Sequence, residues 1–273
     1  MQHRDIAFIG AGNMSRSIIS GMCASGYPGQ KITASNPSLP KLDALKNDFS
    51  IRITQQNASA VSQAQVVVLA VKPQLMEQMC SELTKSCDIT GKLFISIAAG
   101  IPTQRLSEML GGHSNIIRTM PNTPSSLGKG MTGLYAPSDV AQSDKDYAGQ
   151  LLSMVGEITW VETENLINGV IAAAGSSPAY FYTFLEAMQK ETEQQGFDHQ
   201  TARLLVQQAM LGAAEMVCHN PDLEISELRA QVMSKAGTTA QAVEHLQNNG
   251  IDKLVSGAMR AAVTRAEEMA NLF

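Results

Sequence analysis

Two short stretches of this sequence hold residues whose types and spacing can do chemistry. The first is Ile9-Gly10-Ala11-Gly12-Asn13-Met14-Ser15, where an apolar run gives way to a helical pattern. Gly10 permits a tight turn and Gly12 lets the backbone come close to a phosphate. The amides at the start of the following helix then face the negative charge. Such a turn can bind the pyrophosphate of a dinucleotide. Ser15 stands where the usual fingerprint has its third glycine, so the spacing alone is a weak match, equally available to an ordinary glycine turn. Its place in the first strand–helix turn of an alternating chain gives it meaning. The next strand ends Ala34-Ser35-Asn36-Pro37-Ser38 with no carboxylate. A 2′-phosphate would not be repelled there, and Asn36 and Ser38 can donate to it, so NADP(H) is the preferred cofactor and NAD(H) a possible one.

The second stretch is Ser234-Lys235-Ala236-Gly237-Thr238-Thr239, directly before a helical run at 240–248. Amides at a helix start form a cradle for a small carboxylate, and the Ser234 hydroxyl adds a donor. Thr238 or Thr239 serves the sequence equally well as a plain helix cap. Lys72, at the end of an apolar run and followed by Pro73, suits either a proton donor or a contact to the cofactor's ribose or phosphate. His3, His113, His199, His219 and His245 fall outside these stretches and read as structural or solvent-facing. Arg118 precedes a Met-Pro-Asn-Thr-Pro turn and reads as its polar brace. Asp and Glu are scattered without metal-ligand spacing, so no metal is expected.

The elements that position these residues follow from periodicity. Apolar runs at 5–9, 31–34, 51–53, 65–71, 92–97 and 115–119 alternate with helical patterns at 14–24, 41–48, 75–83 and 103–110. Val66-Val67-Val68-Leu69 and Phe94-Ile95-Ser96-Ile97 do not alternate polar with apolar, as strands covered on both faces do not. The expectation is an α/β fold with a Rossmann-type doubly wound sheet. Extended pieces at 130–135 and 157–161, flanking a helix at 144–154, can complete it. Beyond about residue 163 strand signals fade, and helices are expected at 179–195, 200–219, 226–233, 240–248 and 254–272. The expected division is therefore 1–163, a dinucleotide-binding domain, and 164–273, an all-helical domain. Met210, Ala213, Ala214, Met216 and Val217 give the helical part more apolar surface than five helices can hide, which favours homodimerisation unless the α/β half covers it.

Composition sets outer limits. A chain of 273 residues, 44% hydrophobic, can bury a core without disulfides or metals. A net charge of −5 with no basic stripe argues against nucleic acid as a partner. Cys23, Cys80, Cys87 and Cys218 lack CxxC spacing and read as small buried hydrophobes in a reducing compartment. No apolar stretch reaches the roughly 18 residues of a membrane span. The chain starts directly in a strand pattern, without a charged-then-apolar leader, so a cytoplasmic location is expected.

Further segments carry a family resemblance. They are Ala70-Val71-Lys72-Pro73-Gln74, Ser96-Ile97-Ala98-Ala99-Gly100-Ile101, Arg118-Thr119-Met120-Pro121-Asn122-Thr123-Pro124, Gly175-Ser176-Ser177-Pro178-Ala179-Tyr180 and Val232-Met233-Ser234-Lys235-Ala236-Gly237-Thr238-Thr239. In order and spacing they resemble the pyrroline-5-carboxylate reductase family, from Ile6 to the last helix. The resemblance implies hydride transfer from NADPH to a cyclic imine, 1-pyrroline-5-carboxylate, giving L-proline. It implies that Ile9, Gly10, Ala11, Gly12, Asn13 and Met14 hold the cofactor pyrophosphate. Asn36 and Pro37 would line its adenosine end, with Asn57 a further contact. Ala70, Val71, Lys72 and Pro73, with Ile97, Ala98 and Ala99, would hold the ribose and nicotinamide side. Ser234, Gly237, Thr238 and Thr239 would bind substrate within the dimer-forming domain, with Thr239 and Ser234 in the catalytic roles and the Thr239 hydroxyl near the ring nitrogen. Dimers, assembled further into rings of five, are implied too. The family block usually reads Ser-Pro-Gly-Gly-Thr-Thr; here Lys235 and Ala236 replace the Pro and first Gly, Ala230 stands for an Asp, and Ser177 for a Gly. The residues leave two rivals: a related imine or β-hydroxyacid reductase, which would use a lysine that the stretch 166–174 lacks, and a non-catalytic NADP-sensing protein, which would not need Ser234–Thr239.

Overall fold

In the computed structural model, which describes residues 2–272, the apolar runs become eight strands. They are β1 (Ile6–Ile9), β2 (Ile32–Ser35), β3 (Arg52–Thr54), β4 (Val66–Leu69), β5 (Leu93–Ser96), β6 (Ile116–Met120), β7 (Gly130–Tyr135) and β8 (Gly156–Trp160). One sheet holds them in the order β3-β2-β1-β4-β5-β6-β7-β8. Six strands run parallel, β7 turns antiparallel to β6, and β8 runs parallel to β7. The strand expected at 65–71 is the shorter β4, because Ala70 and Val71 already belong to the turn leaving the sheet.

Neighbouring residues of β1 show why central strands must be apolar throughout. Ile6 and Phe8 pack on one face, against Ile18, Ile19 and Met22 of α1 (Asn13–Ala24), Leu42 and Leu45 of α2 (Leu39–Phe49) and, farther along, Leu151 of α6 (Gln142–Ser153). Ala7 and Ile9 pack on the other. There they meet Val61 of α3 (Asn57–Ser62), Met76 and Leu83 of α4 (Met76–Ser86) and Leu106 of α5 (Thr103–Met109). Each fully buried Ile or Leu contributes about 1.5–3 kcal/mol, so two layers of helices hold the strands from both sides. The first turn of α3 falls at Asn57, in a stretch where no helix was expected. The order reverses between β1 and β4, the position where open α/β sheets bind ligands.

After β8 come α7 (Leu166–Val170), a π-turn at Ile171–Gly175, and α8 (Ser177–Gln194), α9 (His199–His219), α10 (Ile225–Gln231), α11 (Thr238–Asn248) and α12 (Ile251–Leu272). Contacts divide the chain into two units. The first holds the residues up to Ser176 and those from Ala261 onward; the second is Ser177–Arg260. In the second unit α9 buries only Ala202 and Val206, whereas Leu211, Met216 and Val217 stay exposed, as does Leu254 of α12. Of the four cysteines expected to be buried, only Cys80 is fully so; Cys23 and Cys87 are half-buried, and Cys218 is exposed because it lies two helical turns beyond the exposed Leu211, on a face that nothing in one chain covers. No helix of the described residues is long and apolar enough to cross a membrane.

Candidate active site

Gly10 closes β1 with a φ of +110°, a value that L side chains rarely adopt. A Cβ there would stand 2.6 Å from the Ala70 carbonyl oxygen, so β1 and β4 approach each other at the switch point only because this residue is glycine. Gly12 is different. It is the N-cap of α1, in an ordinary extended conformation, and a Cβ there would meet no protein atom within 4 Å. The space above it is open, and α1 has no side-chain cap to occupy its first amides. A pyrophosphate fits such a helix start. Ser15, at the third-glycine position, is buried and donates from Oγ to the Gly10 carbonyl at 2.7 Å. The serine therefore holds the turn that the glycine pattern usually leaves unsupported.

The end of β2 locks onto this turn. Gly10 N–H donates to Ser35 O at 2.8 Å and Ala11 N–H to Asn36 Oδ1 at 3.2 Å. Asn36 Nδ2 reaches the Ser38 carbonyl at 3.3 Å, and Ser35 Oγ donates to Asn57 Oδ1 at 2.7 Å. Asn36 is thus first a brace between two loops, with one amide hydrogen left for a ligand. Ala70 N–H donates to Ile9 O at 2.9 Å, and Ile97 N–H to Leu69 O at 3.1 Å. The stretches 9–14, 36–38, 57, 70–73 and 97–99 thereby gather at the carboxyl ends of neighbouring strands.

Lys72 caps the short turn Pro73–Leu75 with its backbone and forms no ion pair among the described residues. Farther on, Asn122 Nδ2 donates to the Ala174 carbonyl at 3.0 Å while its Oδ1 accepts from Met131 N–H at 2.9 Å, tying β7 to the π-turn. Arg118 is buried and pairs with Glu164 at 3.1 Å. It braces the start of the helical region and not, as expected, the Met-Pro-Asn-Thr-Pro turn: its side chain leaves β6 on the face where Glu164 lies. Glu164 carries no motif and was invisible to sequence reasoning.

Ser234, Gly237, Thr238 and Thr239 form a cluster of their own in the second unit. Gly237 is the N-cap of α11, and Thr238 and Thr239 are its first helical residues, with no side-chain cap. The plain-cap alternative for either threonine is thereby removed: both hydroxyls lie past the capping position. A Cβ at Gly237 would come 2.2 Å from Ser234 Oγ, so the missing side chain makes room for the serine hydroxyl. Ala236 has a φ of +59°, the left-handed conformation that the family's glycine takes without strain.

Strongly perturbed ionisable groups lie away from both clusters. Burial, then the hydrogen bond shared with the Tyr147 hydroxyl, pushes the Tyr27 hydroxyl up, and burial pushes the Cys80 thiol up to about 12. No three His, Cys, Asp or Glu of the described residues gather as a metal site.

Comparisons with known proteins agree over the whole length. A family model described as pyrroline-5-carboxylate reductase dimerisation matches residues 164–269, and one described as NADP oxidoreductase coenzyme F420-dependent matches residues 5–100. A pyrroline-5-carboxylate reductase of Vibrio alginolyticus is 55% identical over 273 residues, covering 100% of both chains. Among solved structures, a pyrroline-5-carboxylate reductase from Coxiella burnetii is 40% identical with a TM-score of 0.89, covering 98% of this chain and 99% of that one. A Plasmodium falciparum pyrroline carboxylate reductase with NADP bound is 25% identical with a TM-score of 0.89, covering 99% of each. With its glycine turn at the sheet's switch point and identity sustained from end to end, the chain belongs to the pyrroline-5-carboxylate reductase family.

Proposed function

We propose that this chain reduces 1-pyrroline-5-carboxylate to L-proline with NADPH, the last step of proline biosynthesis. The observation that carries the reading is the open helix start at Gly12, within a chain 55% identical to a named reductase over its full length. When bound, the nicotinamide supplies the hydride that adds to the imine carbon. The protein's own part is alignment and exclusion of water, and a substrate that arrives protonated at nitrogen needs little acid–base machinery. The turn 9–14 holds the pyrophosphate, Asn36, Pro37, Ser38 and Asn57 the adenosine end, and the stretches 70–73 and 97–99 the ribose and nicotinamide side. The absence of a carboxylate after β2 favours NADPH over NADH.

The substrate carboxylate is assigned to the free amides at the start of α11, with Ser234 as an added donor. Thr239 orients the ring nitrogen and relays a proton. Lys72 is assigned to cofactor binding. The domain division proposed is 1–163 and 164–273, the second serving dimerisation and substrate. Exposed Leu211, Met216 and Leu254 support a homodimer. Assembly of five dimers, a cytoplasmic location and no role for nucleic acid complete the reading.

Cofactor oxidation with authentic pyrroline-5-carboxylate, NADPH and NADH side by side, tests it. Equal turnover of hydroxyacids would favour a hydroxyacid reductase, and NADPH binding without turnover a sensor. Thr239→Ala is expected to lower kcat/KM at least tenfold, about 1.4 kcal/mol, with little loss of stability, since Thr239 is exposed. An unchanged kcat/KM removes Thr239 from the chemistry.

A further inference from the structure

We infer that Glu164 is a positioning residue for hydride transfer, acting through Thr103 on the segment 97–103; the inference rests on the reading that 97–99 lies beside the nicotinamide. One carboxylate gathers three donors. Its Oε1 accepts from Thr103 N–H at 2.7 Å and from Arg118 Nη1 at 3.1 Å, and its Oε2 accepts from Thr103 Oγ1 at 3.0 Å. Thr103 opens α5, directly after the loop that leaves β5, so this grip fixes where the loop ends. Charge-assisted bonds of this kind are about twice as strong as neutral ones, and two of them converge on a single residue.

The start and middle of the segment are also fixed. Ala98 N–H donates to Ser96 Oγ at 3.3 Å, and Thr119 Oγ1 holds the Ser96 carbonyl at 3.0 Å. Gly100, with a φ of +78°, lies so close to Met269 of α12 that a Cβ would stand 2.5 Å from the methionine Cβ. Ile101 is fully buried. The loop 97–102 and the helix start that follows it are thus held at 98, 100, 101 and 103. Arg118 is itself buried, with Nε unpartnered among the described residues, and β6 sets it opposite Ser96 of β5. Glu164 therefore neutralises a charge beneath the strand that feeds the segment while it anchors the segment's far end.

The test uses Glu164→Gln, which keeps an acceptor for Arg118, and Thr103→Val, which keeps the ion pair and removes only the hydroxyl bond. In the ligand-free protein, amide hydrogen exchange across 97–103 should speed up about tenfold in both variants, with β1 and β4 unchanged. In single-turnover reduction with NADPH, the amplitude counts correctly folded sites and the rate constant reports the step itself. The rate constant should fall about tenfold for Glu164→Gln and about threefold for Thr103→Val, within the hundredfold that a 1 Å misplacement can cost. Lost amplitude at an unchanged rate constant, or unchanged exchange across 97–103, would assign Glu164 a purely structural role and overturn the inference. A wild-type protein that does not oxidise NADPH with the imine would instead overturn the proposed function, and this inference with it.

Discussion

The two glycines of the turn after β1 are expected to fail in opposite ways when each is changed to alanine. At Gly12 the backbone has a φ of −82° and a ψ of −178°, which alanine adopts freely. Alanine is a poorer N-cap than glycine by about 0.5–1 kcal/mol, while the stiffer unfolded chain returns about 0.4–1 kcal/mol. The two nearly cancel, so Gly12→Ala should fold as stably as wild type. Its methyl group, however, enters the open space above the helix start, where no protein atom lies within 4 Å. NADPH affinity should fall at least tenfold, about 1.4 kcal/mol. Gly10→Ala meets the reverse situation. A φ of +110° costs alanine about 1–3 kcal/mol. The 2.6 Å approach to the Ala70 carbonyl, a backbone atom that cannot step aside, adds about 1–3 kcal/mol. Urea denaturation of ligand-free protein, paired with a fluorescence titration of NADPH, separates the two outcomes. A folded Gly12→Ala that binds NADPH like wild type would refute the assignment of the turn to the pyrophosphate.

Other consequences follow from single residues. Ala236→Gly relieves about 1–2 kcal/mol of left-handed strain at a φ of +59° and gives back about 0.4–1 kcal/mol in the unfolded chain; a urea midpoint lower than wild type would contradict this. Gly237→Ala should raise KM for the imine while leaving the melting temperature within a few degrees, because the atom it strikes at 2.2 Å is the movable Ser234 hydroxyl; unfolding instead would show that the hydroxyl cannot move. The hydrogen bond from Lys31, helped by Arg52, holds the Asp5 carboxyl below its ordinary value, each partner at 2.8 Å. A lowered folded-state pKa stabilises above the unfolded value and ceases to do so as pH falls through the folded one. Asp5→Asn should therefore cost about 0.5–1 kcal/mol at neutral pH, the exposed range for such pairs, and the difference from wild type should vanish once the pH has fallen through the lowered folded-state value. A difference that persists there would mean that the loss is steric and not electrostatic.

The sheet was legible because its signal is local. Val66 to Leu69 are apolar on both faces, and only a strand between two helical layers tolerates that. The glycine turn after β1 was legible from Gly10 and Gly12, each with a separable physical reason. What escaped depends on distance in sequence. Glu164 looks like any surface acid until the fold brings Thr103 and Arg118 to it from two other segments. The π-turn at Ile171–Gly175 falls where no helix was expected, and its Ala174 carbonyl accepts from Asn122, a partner distant in sequence. The helix that starts at Asn57 was missed because six residues are too few for a periodicity to register. Cys218 reads as buried by residue type; only the helix face it shares with the exposed Leu211 shows otherwise.

Gly12 and Gly237 show that one residue type at one helical position can serve two purposes. Both are N-caps, and both leave a helix start without a side-chain cap, whereas α9 starts at Asp198, whose carboxylate accepts from the amides of Gln200 and Thr201. An acidic cap satisfies those amides and repels a second anion; a bare glycine leaves them available to one. Beyond that shared feature the two part. The room vacated at Gly12 is empty, and suits a ligand that brings its own oxygens to the amides. The room vacated at Gly237 is filled by Ser234, so the second helix start is furnished with a hydroxyl before any ligand arrives. On the proposed assignment, a pyrophosphate at α1 would bring enough oxygens to satisfy the amides unaided, whereas a single carboxylate at α11 would also need to be oriented. The Ser234 hydroxyl would then give direction where amides alone give affinity, and because it fills the room left by Gly237, the serine and its glycine form one unit.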